Sequence, residues 1–180
     1  PKTGLLMPGA IEYVGNLEVV DIGLPWDLVR PLASDPELVT GWEVRGLFPR
    51  RPRASHKGAY GHVLVVAGAA GYAGAAILAC RAAVRSGVGL VTALAPKIVV
   101  PVIAGATPET MVHAGLETAT GSLGAEALRQ LPKALGDFSA VVMGPGLTPH
   151  TDTQILVRTV LRESRCPVVL DADAINVLSG

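Results

Sequence analysis

The stretch HVLVVAGAAGYAGAA, His62–Ala76, decides how the rest of the chain is read. An apolar run rich in β-branched residues passes into glycines at 68, 71 and 74 and then into small helix formers. That is the pattern of a strand, a tight turn and a helix. Glycine lets the turn take positive φ and approach a ligand closely. The helix N-terminus presents unpaired N–H groups and a positive dipole end to an anion. The same glycines also serve close packing of a helix on a sheet, so the motif by itself leaves a phosphate site and a packing device both open. A dinucleotide-binding βαβ unit would carry an Asp or Glu about 20 residues further on to hold the ribose. The second strand ends VTALAPK without one, which weakens the ordinary NAD-binding reading and leaves an NADP variant open.

Outward from this stretch the period is regular. It predicts a strand at 62–67, a helix at 74–86, a strand at 89–95, a short helix near 98–104 and a weaker strand at 110–114. Helical spacing over 122–135 is shortened by Pro132. Then come a strand at 139–144, a helix at 151–163 opening at a Thr151 cap, a strand at 167–172 and the start of a helix at 173. Apolar strands alternating with helices indicate an α/β fold whose mostly parallel sheet is covered on both faces. Ahead of this array, Leu17–Asp21 reads as a lone strand, and 26–52, with its prolines and the basic run PRRPR, reads as a connector.

Composition narrows the function. The formal charge is zero with pI near 7.4, which lacks the basic excess of a nucleic-acid binder. No Asp or Glu lies between Val44 and Pro108, so that segment carries +8 and the remainder −8. This is a solvated basic surface or a field that attracts an anionic small molecule. Val63–Cys80 runs 18 residues without a charge, but three glycines and seven alanines make it a buried strand and helix, with no membrane span expected. Cys80 and Cys166, without CxxC spacing, read as buried, reduced thiols of a cytoplasmic protein. His56, His62, His113 and His150 show no metal-ligand spacing, and there is no nucleophile elbow.

Two further candidates follow strands. Gly144–Pro145–Gly146 makes a rigid turn that leaves room for a ligand against the backbone, or is a plain tight turn. Asp171 and Asp173 end the next strand, where Asp173 reads as a helix N-cap ahead of any metal role. All three candidates fall at one edge of a parallel sheet, which strengthens each.

Taken together, HKGAYGHVLVVAGAAGYAGAAILACRAAVRSGVGLVTALAP (His56–Pro96), PETMV, GPGL and CPVVLDADAIN resemble the first part of the ADP/ATP-dependent NAD(P)HX dehydratase domain. The resemblance covers His56–Gly180 and implies a three-layer ribokinase-like fold, truncated at its C-terminus. Residues 1–25 resemble the end of an NAD(P)HX epimerase domain, which makes 26–55 a linker and 56–180 the N-terminal part of the dehydratase domain. The resemblance implies a repair lyase that returns the S form of NADHX or NADPHX to NADH or NADPH. ADP or ATP, with Mg²⁺, phosphorylates the 6-hydroxyl before phosphate is eliminated. It places Ala75 and Gly146 on the substrate, with Gly74, Gly144 and Lys57 beside them. The family's G-T-G-D loop, which carries its catalytic aspartate, has no match before Gly180. No catalytic residue and no metal ligand is therefore expected in this chain, and the segment alone is expected to be inactive. The family habit of assembling as tetramers implies a homo-oligomer, with no nucleic acid or membrane partner. Where the family carries glycine after G-P-G-L, this chain has Thr148. A ribokinase-like kinase of a small alcohol or vitamin precursor, and a non-catalytic nucleotide-binding module, are the competing readings.

Overall fold

The computed structural model describes residues 3–29, 39–48 and 50–179. It divides into two compact units, Pro1–Pro52 and Arg53–Gly180. Among its described residues the first holds short helices: 3₁₀ turns at Thr3–Leu5 and Pro8–Ala10, α1 (Ile11–Val14), α2 (Trp26–Val29) and α3 (Gly41–Gly46). α3 opens on a capping box in which the Thr40 N–H donates to Glu43 Oε2 at 2.7 Å. Leu17–Asp21 forms no strand, and Val19 and Val20 stand exposed. A lone β-rich run without a pairing partner leaves its backbone groups and both faces to water. Within the expected linker 26–55, residues 30–38 and 49 lie outside the described residues, and the rest includes two helices.

The second unit is built on five strands: β1 (His62–Val66), β2 (Leu90–Pro96), β3 (Thr110–Gly115), β4 (Ala140–Met143) and β5 (Val168–Leu170). All pairs are parallel and the order is β3-β2-β1-β4-β5. Val65, at the centre, stands level with Ala93 on one side and Val142 on the other. Alternation along the strands sends two sets of side chains to opposite faces. Leu64, Val66, Leu94, Val141 and Met143 pack with Leu156, Val157 and Val160 of α6 (Thr151–Glu163) and with Ala174 of α7 (Asp173–Asn176). Val65, Val91, Ala93 and Ala95 pack with Ala76 and Cys80 of α4 (Ala73–Arg85) and with Ile103 of α5 (Val100–Ala106). Helices therefore cover both faces and the fold is three-layered α/β, as the apolar strands predict.

Three local expectations differ from the structure. Residues 122–135 contain only 3₁₀ turns, Ala127–Gln130 and Leu135–Asp137, although Leu123, Ala127 and Leu135 are buried. The spacing there reflects which residues meet the core. Pro132, which cannot donate to a helix ladder, and Gly124, whose N–H donates to the Leu116 carbonyl at 2.7 Å, prevent a continuous helix. α6 spans the expected residues, but its cap is His150, whose Nδ1 accepts the Asp152 N–H at 3.1 Å. Thr151 lies inside the helix. Cys166 is half-buried, not buried like Cys80, whose thiol burial pushes up to about 11. Among the described residues no helix is long and apolar enough to cross a membrane.

His62 opens β1 with Nε2 at 2.8 Å from Thr92 Oγ1 and its ring edge-on to Phe138. Burial, then the nearby Lys133 ammonium, holds its pKa below the ordinary 6.5. The folded state therefore favours the neutral ring. As pH falls below the unfolded value the unfolded chain takes up the proton first, so this part of the stability is present above 6.5 and is lost as pH falls through the lowered folded value. The urea midpoint is expected to drop between about pH 7.5 and 5.5, and less so in His62→Gln. Equal drops in the two proteins would contradict it.

Candidate functional site

The chain lays β1, β2 and β3 outward in one direction and then crosses back to place β4 and β5 on the other side of β1. Strand order thus reverses between β1 and β4, and open parallel sheets bind ligands in the crevice outside the carboxyl ends at such a point. The loops after β1 and β4 flank it.

These loops are tied to each other through their backbones. The Gly68 N–H donates to the Pro145 carbonyl at 2.9 Å and the Gly144 N–H to the Val66 carbonyl at 3.2 Å. On the far side, the Ala70 N–H donates to the Gly121 carbonyl at 2.9 Å. Gly68 and Gly71 take φ of +87° and +83°, as expected of a turn only glycine enters readily. α4 follows with thirteen residues, and Tyr72 at its cap makes no side-chain bond to the first amides. Those amides and their dipole end face the edge of the sheet where an anion would be held.

Ala75 and Gly146 meet across the crevice. A Cβ on Gly146 would lie 3.2 Å from Ala75 Cβ, 2.9 Å from Tyr72 Cβ and 3.0 Å from the Tyr72 carbonyl oxygen, with φ at +68°. Gly74 is exposed, and a Cβ there would meet nothing within 4 Å. Gly144 has φ +129°, and its missing Cβ would fall 1.8 Å from the Asp171 carbonyl oxygen, so the need for glycine there comes from the backbone after β5. The structure thus gathers Gly74, Ala75, Gly144 and Gly146 at one edge. Lys57 is not with them. It lies in the 3₁₀ turn Lys57–Tyr60 that precedes β1, and its carbonyl packs on Gly89 just ahead of β2, at the opposite ends of the strands.

Other residues enter that sequence reasoning did not place. Thr148 sits in the left-handed region at φ +65°, its N–H donating to Asp173 Oδ2 at 2.9 Å and its hydroxyl bonded to that of Ser122. Asp173 is therefore not the N-cap of α7. It is the first helical residue, after Ala172 at φ +44°, and its carboxylate reaches across to the neighbouring loop. Pairings spanning 25 and 26 residues leave no local pattern; the one local signal was a threonine where a turn asks for glycine. Beyond β3 the same edge opens into a cavity of about 320 Å³ lined by Lys97, Ala114, Gly115, Leu116, Glu117 and Gln130. Among the described residues no three His, Cys, Asp or Glu side chains converge as metal ligands.

Residues 63–180 match the family model for NAD(P)H-hydrate dehydratase. The chain is 40% identical over 179 residues to the bifunctional NAD(P)H-hydrate repair enzyme Nnr of Moorella thermoacetica, covering 99% of this chain and 34% of that protein. The Nnr of Coxiella burnetii is 38% identical over the same shares. The chain thus spans about a third of the length of these curated relatives. Among solved structures it resembles the ADP/ATP-dependent NAD(P)H-hydrate dehydratase from Bacillus subtilis, co-crystallized with ATP/Mg²⁺. The TM-score is 0.60 at 34% identity, over 75% of this chain and 45% of that one. It also resembles a ribokinase-like superfamily protein from Enterococcus faecalis, with TM-score 0.61 at 26% identity, over 72% of this chain and 43% of that one. With its parallel sheet, its paired glycine turns and this match over most of its length, the chain belongs to the NAD(P)H-hydrate dehydratase family, on a ribokinase-like fold.

Proposed function

We propose that the whole protein dehydrates the S form of NADHX and NADPHX to NADH and NADPH at the expense of ADP or ATP. The observation that carries this reading is the close approach of Ala75 and Gly146 across the strand-order reversal, in a chain of this family. A dinucleotide substrate brings a pyrophosphate and a bulky ring system. The glycine loop and the first amides of α4 suit the pyrophosphate, because unpaired N–H groups and a helix dipole stabilise an anion without the reorganisation that water would need. Small residues at 75 and 146 let the two turns close on each other, and Gly74, with nothing within 4 Å of a Cβ, keeps the approach open. In this reading Gly144 contributes by fixing the turn, and Lys57, at the far edge, does not meet the dinucleotide.

Hydroxide is a poor leaving group, and nucleotide-dependent phosphorylation would replace it with phosphate. Nothing in this chain is assigned to that chemistry. The described residues offer no convergent set of ligands for Mg²⁺, and no step is drawn through it. The bifunctional relatives suggest a fused epimerase activity in the whole protein, and the reading assumes a cytoplasmic homo-oligomer.

The test is to incubate the whole protein with NADHX and either ADP or ATP and to follow absorbance at the reduced-nicotinamide band. Recovery of NADH that depends on nucleotide is expected. A folded protein that recovers none would overturn the proposal and favour a small-alcohol kinase.

A further inference from the structure

We infer that Asp173 is a positioning residue for the turn that faces substrate, acting through Thr148. The inference rests on the functional reading above and on an arrangement that sequence alone did not reveal.

The turn Gly144–Thr148 is held at both ends by the same short segment after β5. At its start, Gly144 lies against the Asp171 carbonyl, while the Asp171 N–H donates to Met143 at 3.0 Å. At its end, the Thr148 N–H donates to Asp173 Oδ2 at 2.9 Å. Between these anchors Leu147 is fully buried, which leaves Gly146 little freedom to move apart from the turn as a whole. Among the described residues only two that are not glycine have positive φ, Thr148 at +65° and Ala172 at +44°, and both belong to this brace. Left-handed backbone is costly for residues with a Cβ and persists only where the surroundings over-determine it.

At Thr148 the determinants can be named. Its N–H is bound by a carboxylate, its hydroxyl by Ser122, and its carbonyl accepts the His150 N–H at 3.1 Å. A hydrogen bond from a backbone N–H to a carboxylate is charge-assisted and so the strongest of the three. Ser122 follows Gly121, whose carbonyl holds Ala70 of the glycine loop. Thr148 therefore links the carboxylate to both walls of the crevice. Without Asp173, the strained residue is free to relax toward ordinary backbone, and Gly146, two residues upstream, shifts against Ala75 and Tyr72.

The test compares Asp173→Ala with Asp173→Asn in the whole protein. Asp173→Ala is expected to raise KM for NADHX about tenfold, the size of one charge-assisted hydrogen bond, with kcat changed by less than about threefold. Asp173→Asn keeps an acceptor oxygen and is expected to restore most of the loss. Hydrogen exchange at the Thr148 amide should quicken in the alanine variant and return toward wild type in the asparagine one. Should Asp173→Ala fail to fold, Asp173→Ser carries the same comparison, because its side chain is polar but too short to bridge to Thr148. An unchanged KM in a folded variant, or a fall in kcat alone, overturns the inference. If the wild-type protein turns over no hydrate, the functional reading fails, and the Thr148 exchange rate then decides the brace by itself.

Discussion

Gly144→Ala is expected to be severely destabilised and to give little soluble protein. The added methyl would stand 1.8 Å from the Asp171 carbonyl oxygen, 2.8 Å from its carbon and 2.9 Å from Ala174 Cβ, on a backbone with φ +129°. Two of the three obstacles are main chain, so no rotamer change relieves them. Either the end of β4 or the β5–α7 segment must move by more than an ångström, in a region where Met143 and Ala174 are fully buried. Overpacking and backbone strain together are worth about 4 kcal/mol or more, against a total stability of roughly 5–15 kcal/mol for a domain. Gly71→Ala is the control. Its φ is +83° but no atom lies within 4 Å of the new methyl, so it bears the conformational cost alone, about 1–2 kcal/mol. Soluble yield and the urea midpoint of the two variants check the expectation. A Gly144→Ala protein as stable as Gly71→Ala would refute it.

Gly146→Ala is expected to fold but to bind substrate poorly. Its methyl would come within 2.9 to 3.2 Å of Tyr72 Cβ, the Tyr72 carbonyl oxygen and Ala75 Cβ, at φ +68°. These overlaps are smaller than those at Gly144 and can be relieved by a small opening of the turn, at about 2 kcal/mol of stability. The opening is in the crevice itself. On the proposed function, KM of the whole protein for NADHX is accordingly expected to rise by about tenfold or more, since a small misplacement of a binding turn weakens the contacts it makes. Adding Ala75→Gly should restore little, because Tyr72 provides the two nearer atoms. Full recovery in the double variant would show that the Ala75 contact, not the Tyr72 backbone, sets the width of the crevice.

Much of this architecture was legible in the sequence. The five strands fall within a residue or two of the apolar runs, and buried parallel strands advertise themselves because both faces must be apolar. The glycines at 68, 144 and 146 were legible for a different reason, since turns at strand ends admit few other residues. What misled was local pattern standing in for tertiary context. Leu17–Asp21 has a strand's composition without a partner, and 122–135 has a helix's spacing because the core, not a helix, selects its apolar residues. The role of Asp173 was hidden altogether. Next to a short helix its residue type points to a cap, while the partner of its Oδ2, the Thr148 N–H, lies 25 residues earlier.

The strand order also bears on how the protein reaches this state. The ladder that brings the two glycine turns together joins residues far apart in the chain, as the His62–Ser139 hydrogen bond across 77 positions illustrates. Closing so long a loop is slow, because its entropy must be lost before any contact rewards it. Until β4 docks, the glycine loop has no Pro145 carbonyl to accept its Gly68 amide, and the edge of β1 that will pair with Met143 stays wet. During synthesis, then, the ribosome must release the chain beyond residue 173, whose carboxylate braces the second turn, before the binding crevice is complete. Ligand affinity should appear in one step with core closure, not grow with chain length.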